Sequence, residues 1–307
     1  MNTIPRKVIT KVVSLDSLFR NNTESSTDFI YKFLNTQKNI KSIKVSSIEL
    51  PNVWHVFSEK NKTNYFFLDL FNTGNINWDK KYKIIIPTGN YSATNIIRFL
   101  NLYFKENEGL KYLVWRLNDE TGQIQVMQDP DETGVGENFN YEIYFIDDVK
   151  YVPKIFDTAG WNLGFRKNRY ISKGSKRKIY DTKSINTYTY VAENFVESES
   201  YYGSSSNTYL FLEIDDFSNQ SIHNGQIISD YGEYTISNDV LARITVTSGS
   251  NTILYSLKND HIYKKREYHG FVNIDKLRIR LVDKFNKTID IGEGNFSLSL
   301  EIEQQYN

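Results

Sequence analysis

Apolar and polar residues alternate with a period of two along most of this chain, the pattern of strands that turn one face to a core. It is clear at 12–17, 28–34 and 40–50. In the third of these Ile40, Ser42, Lys44, Ser46 and Ile48 share one face, and Lys41, Ile43, Val45, Ser47 and Glu49 the other, so both faces carry apolar residues. Pro51 has no amide to give a ladder and marks where that strand leaves its sheet. Residues 52–64, with Trp54-His55, read as a corner before strands at 65–71 and 82–86. The period then changes to 3.6. Ser92 is a candidate N-cap, and Ile96, Ile97, Leu100, Tyr103 and Phe104 fall on one face, predicting a short helix near 93–105. The turn residues 118–123 predict a hairpin between 114–116 and 124–126. Further strands are expected at 141–146, 208–217, 234–237, 241–246, 252–257, 276–284 and 295–306. The last alternates most cleanly, with Phe296, Leu298, Leu300 and Ile302 opposite Ser297, Ser299, Glu301 and Glu303.

A dozen or more strands with closely spaced turns predict an all-β fold, a sandwich or barrel of antiparallel strands, and not parallel βαβ units. Residues 155–206 are less regular. The resulting division is an N-terminal arm at 1–10, a β-sandwich half with the helix at 11–170, and an irregular insertion or linker at 171–206. Strands at 207–307 either complete that sandwich or form a second one.

Composition narrows the function classes. Of 307 residues, 37 are basic and 37 acidic, so no net field draws the chain to nucleic acid or an anionic surface. No run of about 18 apolar residues occurs, and direct membrane insertion is not expected. Cysteine is absent, which removes disulfides and thiolate chemistry. The 22 Tyr and 19 Phe suit half-buried sheets, where a ring packs while a hydroxyl stays wet.

Candidate chemistry is sparse. His55, His223, His261 and His269 lack the HxH or HxxxH spacing of a metal site. Asp147-Asp148 and Asp215-Asp216 are adjacent pairs whose members point to opposite strand faces, and with Glu142 they do not define the two opposed acids of a glycosidase; the second pair is expected to hold a turn. The segments 134–139 and 174–178 lack the strand, helix and GKS/T ending of a phosphate loop. No catalytic, cofactor-binding or metal residue is assigned, and no cofactor is expected. Candidate partner contacts are Trp54, Trp78 and Trp161, in corners or loops where they either meet a partner or cap the sandwich. The basic cluster Lys173, Lys176, Arg177 and Lys178 is either a solvated loop or a contact for an acidic partner. Tyr188 and Tyr190 lie in a segment that either adds to a neighbour's sheet or folds on its own.

Several strand phrases carry a family resemblance: "VVSLDSLFRNNTESSTDFIYKFLNTQKNIKSIKVSSIELPNVW", "YKIIIPTGNYSATNIIRFLN", "WNLGFR", "YLFLEIDDF" and "LRIRLVDKFNKTIDIGEGNFSLSLEIEQQY". Together they resemble minor capsid or vertex (penton-type) structural proteins of nucleocytoplasmic large DNA viruses. The resemblance implies a jelly-roll-like antiparallel β-sandwich, either one elaborated or two coupled. It also implies contacts with major capsid protein and other minor capsid proteins, and a place in the virion after assembly in the host cytoplasm; it leaves homo-oligomerisation open. It supplies no catalytic residues. A glycan- or receptor-binding spike module is the alternative from another class, and a β-sandwich carbohydrate-active enzyme is a third.

Overall fold

The computed structural model describes residues 7–21, 23–74, 77–129, 131–132, 140–146, 154–172, 175–180, 188–193, 195–203, 208–218, 239–247, 249, 251–257 and 265–306. In chain order the strands β1 (Lys7–Asp16), β2 (Asp28–Pro51), β3 (Tyr65–Phe71) and β4 (Lys81–Ile85) precede the helix α1 (Ala93–Glu106). Then come β5 (Leu113–Leu117), β6 (Gln123–Gln128), β7 (Asn140–Tyr144) and a single helical turn, α2 (Ala159–Asn162). They are followed by β8 (Arg169–Ile171), β9 (Ser175–Tyr180), β10 (Tyr188–Glu193) and β11 (Phe195–Tyr201). The last five are β12 (Tyr209–Asp215), β13 (Val240–Thr245), β14 (Ile253–Leu257), β15 (Lys265–Val282) and β16 (Ser297–Tyr306). All pairings among them are antiparallel, so the fold is of the expected all-β class with one multi-turn helix. The predicted strand at 234–237 lies outside the described residues.

The chain divides into two compact units, Met1–Trp54 with Asn207–Asn307, and His55–Ser206. The boundaries differ from those drawn on composition. Residues 7–10, expected to be part of an N-terminal arm, are the start of β1, and 11–54 belong with 207–307 and not with 55–170.

In the first unit the strand order is β1-β16-β2-β15-β12-β13, with β14 also on β2. The alternation of β16 places it between two neighbours. Phe296, Leu298, Leu300 and Ile302 are buried, and their polar alternates face away. Strand β2 runs unbroken for 24 residues, where the sequence predicted separate strands at 28–34 and 40–50. It pairs with β15 from Asp28 to Lys44, with β16 from Ile40 to Glu49 and with β14 from Ser47 to Pro51. Register shifts, and Asn39 at φ +56°, a left-handed conformation that Asn tolerates better than most residues, lie where β16 joins β15 beside this strand. Phe29, Leu212, Leu277 and Ile279 from one part of the sheet thereby share a core with Ile48, Leu50, Leu254 and Leu298 from the other. A sheet bent over its own core is a sandwich.

Three strands meet at Glu303 on β16. Its carboxylate accepts from Ser42 Oγ of β2 at 2.7 Å and pairs with Lys265 Nζ of β15 at 2.9 Å. These contacts hold its carboxyl below the ordinary value of 4.5, the Ser42 hydrogen bond first and Lys265 second, against a smaller opposing effect of burial.

In the second unit the sheets β4-β3-β7-β8 and β11-β6-β5 share one core, and β9 and β10 form a separate two-stranded sheet. Ser92 Oγ caps α1 by accepting from Asn95 N at 3.2 Å, and Ile96, Leu100 and Phe104 are its buried stripe. Asn101 fastens the helix to β5, donating to Trp115 O at 2.9 Å and accepting from Trp115 N at 2.7 Å. The Trp115 ring centroid lies 5.4 Å from that of Phe66 and 5.7 Å from that of Phe104. Tyr141 on β7 donates its hydroxyl to Val126 O on β6 at 2.5 Å and so ties the two sheets together. Part of the segment expected to be irregular, 171–206, is strand: β9 pairs with β10, and β11 completes the sheet of β5 and β6. The second edge of β6 needs a backbone partner, and Val196 opposite Val126 supplies an apolar one.

Two expectations follow. Leu300→Ala, at a fully buried site, costs about 2–5 kcal/mol in urea unfolding, whereas Leu34→Ala, at a fully exposed one, stays within about 0.5 kcal/mol. Glu303 has a depressed folded pKa, so its contribution is complete above pH 4.5 and is lost as pH falls through the folded value. The stability difference between the natural chain and Glu303→Gln therefore shrinks below pH 4.5, which urea titrations across the acid limb measure.

Candidate functional site

The structure does not gather the candidate partner contacts into one place. Trp54 is 7% exposed and packs in the core of the first unit, which leaves little of its indole for a partner. Trp78 and Trp161 belong to the second unit and are half-buried. Trp78 packs on Tyr112 with ring centroids 5.0 Å apart, and Trp161 lies edge-on to Phe156 at 6.1 Å. Lys173 lies outside the described residues. Lys176, Arg177 and Lys178 occupy β9, a strand and not the expected loop, opposite Ala192, Val191 and Tyr190. Tyr188 and Tyr190 lie on β10, opposite Tyr180 and Lys178 of β9.

Among the described residues, the acids considered for catalysis hold structure together. Asp215 Oδ1 accepts from Phe217 N at 2.7 Å and Asp216 Oδ1 from Ser218 N at 2.8 Å, the expected turn hydrogen bonds. Asp216 has a second role that its neighbours in sequence did not reveal. Its Oδ2 accepts from Arg266 Nη1 at 2.8 Å and from the Tyr268 hydroxyl, while Arg266 Nη2 donates to Asp239 O at 3.0 Å. The Asp216 and Arg266 side chains are almost fully buried. Burial, reinforced by the Asp216 charge, pushes the Tyr268 hydroxyl far above its ordinary value and keeps it a donor. Arg266 and Tyr268 are i, i+2 on a strand, and that shared face was the available signal. Glu142 pairs with Arg169 at 3.2 Å; Asp147 and Asp148 lie outside the described residues. His55 is half-buried, His269 is exposed on β15, and His223 and His261 lie outside the described residues. Among the described residues no three metal-ligating side chains cluster.

Two surface constructions stand out in the second unit. In the first, the Arg166 guanidinium lies 4.0 Å over the Trp161 ring. The Arg166 and Lys167 amides donate to the Tyr170 hydroxyl at 3.0 and 2.8 Å, and that hydroxyl donates to Glu199. Burial alone would raise the Glu199 carboxyl, but hydrogen bonds from Tyr170 and the Arg166 amide outweigh it and hold the group below its ordinary value.

The second is the outward face of β4-β3-β7-β8. There Phe67 and Tyr144 stack at 5.3 Å, with Lys81 Nζ 4.6 Å from the Phe67 centroid and 5.2 Å from that of Tyr144. Lys83 Nζ lies 4.4 Å over Tyr65, and Arg169 covers Tyr144 at 5.2 Å. Phe67 and Tyr144 are themselves buried. A sugar platform needs an open ring face, and here cations occupy it.

No family model and no curated protein matches the chain. Among solved structures, the mavirus penton protein is similar at 9% identity and a TM-score of 0.45, over 98% of this chain and 100% of that one. A chain of the Sputnik virophage, solved by cryo-EM, is similar at 10% identity and a TM-score of 0.41, over 96% of this chain and 98% of that one.

The buried Asp216-Arg266-Tyr268 knot generates a stability test. Arg266→Met strands the Asp216 charge and costs about 3–5 kcal/mol, while the Asp216→Asn/Arg266→Met double variant recovers part of the loss, because the cost lies in the unpaired charge. Urea unfolding of the two variants checks the order.

Proposed function

We propose that this protein is a structural component of a large icosahedral viral capsid, a minor capsid or penton-type protein that acts through protein-protein contacts. One observation carries the reading. The segments with the family resemblance at 12–54, 209–217 and 277–306 are far apart in sequence, yet they form adjacent strands of one sheet, β1-β16-β2-β15-β12. The resemblance therefore follows a folded framework, as inherited architecture does. The remaining phrases supply β4 with α1, and α2.

The reading places the protein in the virion, assembled in the host cytoplasm, with major and minor capsid proteins as its neighbours. The two sandwich units, and the strand edges that pair with no other described strand, suit a role in which surface shape does the work. Of the acids considered for a carbohydrate-active enzyme, Asp215, Asp216 and Glu142 are engaged in turns and ion pairs, and the aromatic face suited to a glycan is covered by cations.

Mass spectrometry of purified virus particles from the source of the sequence is expected to find the chain at a fixed stoichiometry to major capsid protein. Its absence from particles, or binding on a glycan array by the purified chain, overturns the proposal.

A further inference from the structure

Strand β1 is the longest edge strand of the first unit's sheet. It has ten residues, against six in β13 and five in β14, where a typical strand has about five or six. Ser17 N donates to Phe296 O at 2.9 Å, and the register with β16 runs without a shift from Lys7↔Tyr306 to Asp16↔Ser297. The odd-numbered residues of β1 therefore bond to β16, and the amides and carbonyls of Val8, Thr10, Val12, Ser14 and Asp16 point away from the sheet. Among the described strands none pairs with that side. Side chains follow the same period. Leu15 is buried in the core, with Val13 packed against it and Ile9 half-buried on the same side, while Val8 is 46% and Val12 65% exposed on the other. Native edge strands are commonly short, or blunted by proline or charge. This strand has no proline, and from Val8 to Ser14 its outward face carries no charge.

We infer, independently of the capsid reading, that β1 is a two-fold pairing edge: a second copy of this chain adds its own β1 antiparallel, and one sheet runs across both copies. A two-fold axis normal to the sheet keeps both apolar faces on one side and sets one residue opposite itself. Centred on Val12, the pairing spans Val8 to Asp16. On the outward face Val12 then meets Val12, Thr10 meets Ser14 and Val8 meets Asp16; on the core side Ile9 meets Leu15 and Lys11 meets Val13. No like charges stand opposite each other. Centring on Lys11 sets lysine against lysine, and every other centre pairs fewer residues of β1. The same charges select against other partners. A basic segment is repelled by Lys7 and Lys11. An acidic segment finds no cation on the outward face of β1, and carboxylates opposite those lysines would lie on the core side beside Ile9 and Val13. The matching segment is uncharged and β-branched at alternate positions, which β1 itself is at Val8, Thr10 and Val12. Pairing covers Ile9 and Val13, which one copy leaves half-buried, and satisfies the outward amides and carbonyls.

Sedimentation velocity of the full chain across a concentration series tests it, with a reversible dimer expected. Val12→Glu keeps every hydrogen bond to β16 and sets two carboxylates together on the axis. It is expected to raise the dimer dissociation constant about tenfold or more. Mixing it with Val12→Lys sets ammonium against carboxylate, and a dimer with one copy of each variant is expected to return. Thr10→Pro removes an outward amide but no hydrogen bond to β16, at an edge position where proline is tolerated, and is expected to weaken the dimer as well. Unchanged circular dichroism melting establishes that each variant is folded. Four results overturn the proposal: a natural chain that stays monomeric, full dimerisation by Val12→Glu or Thr10→Pro, a mixture of the two Val12 variants no tighter than Val12→Glu alone, or a larger oligomer that these variants leave intact.

Discussion

Strand β2 must satisfy the backbone groups of 24 residues while it changes neighbours, and the first unit is organised around that demand. A flat strand of this length would present one pair of edges to one pair of partners. β15 pairs with it over 28–44, β16 over 40–49 and β14 over 47–51, with register shifts and Asn39 at positive φ where β16 joins, and apolar residues from both ends of the strand share one core. Glu303, Ser42 and Lys265 meet where β2 is flanked by both β15 and β16, beside a register shift in each ladder.

Local pattern made part of this legible. The helix, its Ser92 cap, the 118–123 hairpin turn and the alternation of β16 are properties of short windows, and each appears where the pattern puts it. What short windows cannot carry is pairing between distant segments. Nothing in residues 7–16 announces that they lie against 297–306, and the polar run Asn35-Thr36-Gln37-Lys38-Asn39 reads as a break because its side chains are mostly exposed, although its backbone continues the strand. The polar knot was hidden for the same reason. Asp216 looks like a turn residue and is one, but its second partner lies 50 positions away. Of the candidate contacts, Trp54 shows the limit most plainly, since a tryptophan in a corner is equally a core anchor, and here the core holds it.

The tyrosine content has a structural reading beyond area. Tyr141 donates to Val126 O, Tyr202 to Tyr91 O, Tyr170 to Glu199 and Tyr268 to Asp216. In each case the ring packs in or against a core, and the hydroxyl closes a polar contact with another element. A phenylalanine would fill the same space but could not cross-link, and a shorter polar residue would bond without filling it. Lysine and arginine complement this on the outside, where their charges cover ring faces that would otherwise be apolar surface.

Strand period separates core from surface in β4. Tyr82 and Ile84 contribute to the core, and their backbone groups pair with β3. Lys81, Lys83 and Ile85 contribute little to that core, and the outward amides of Lys83 and Ile85 give the ladder nothing. Substitutions at the odd positions can therefore change the outward surface of the strand without changing what it contributes to the core.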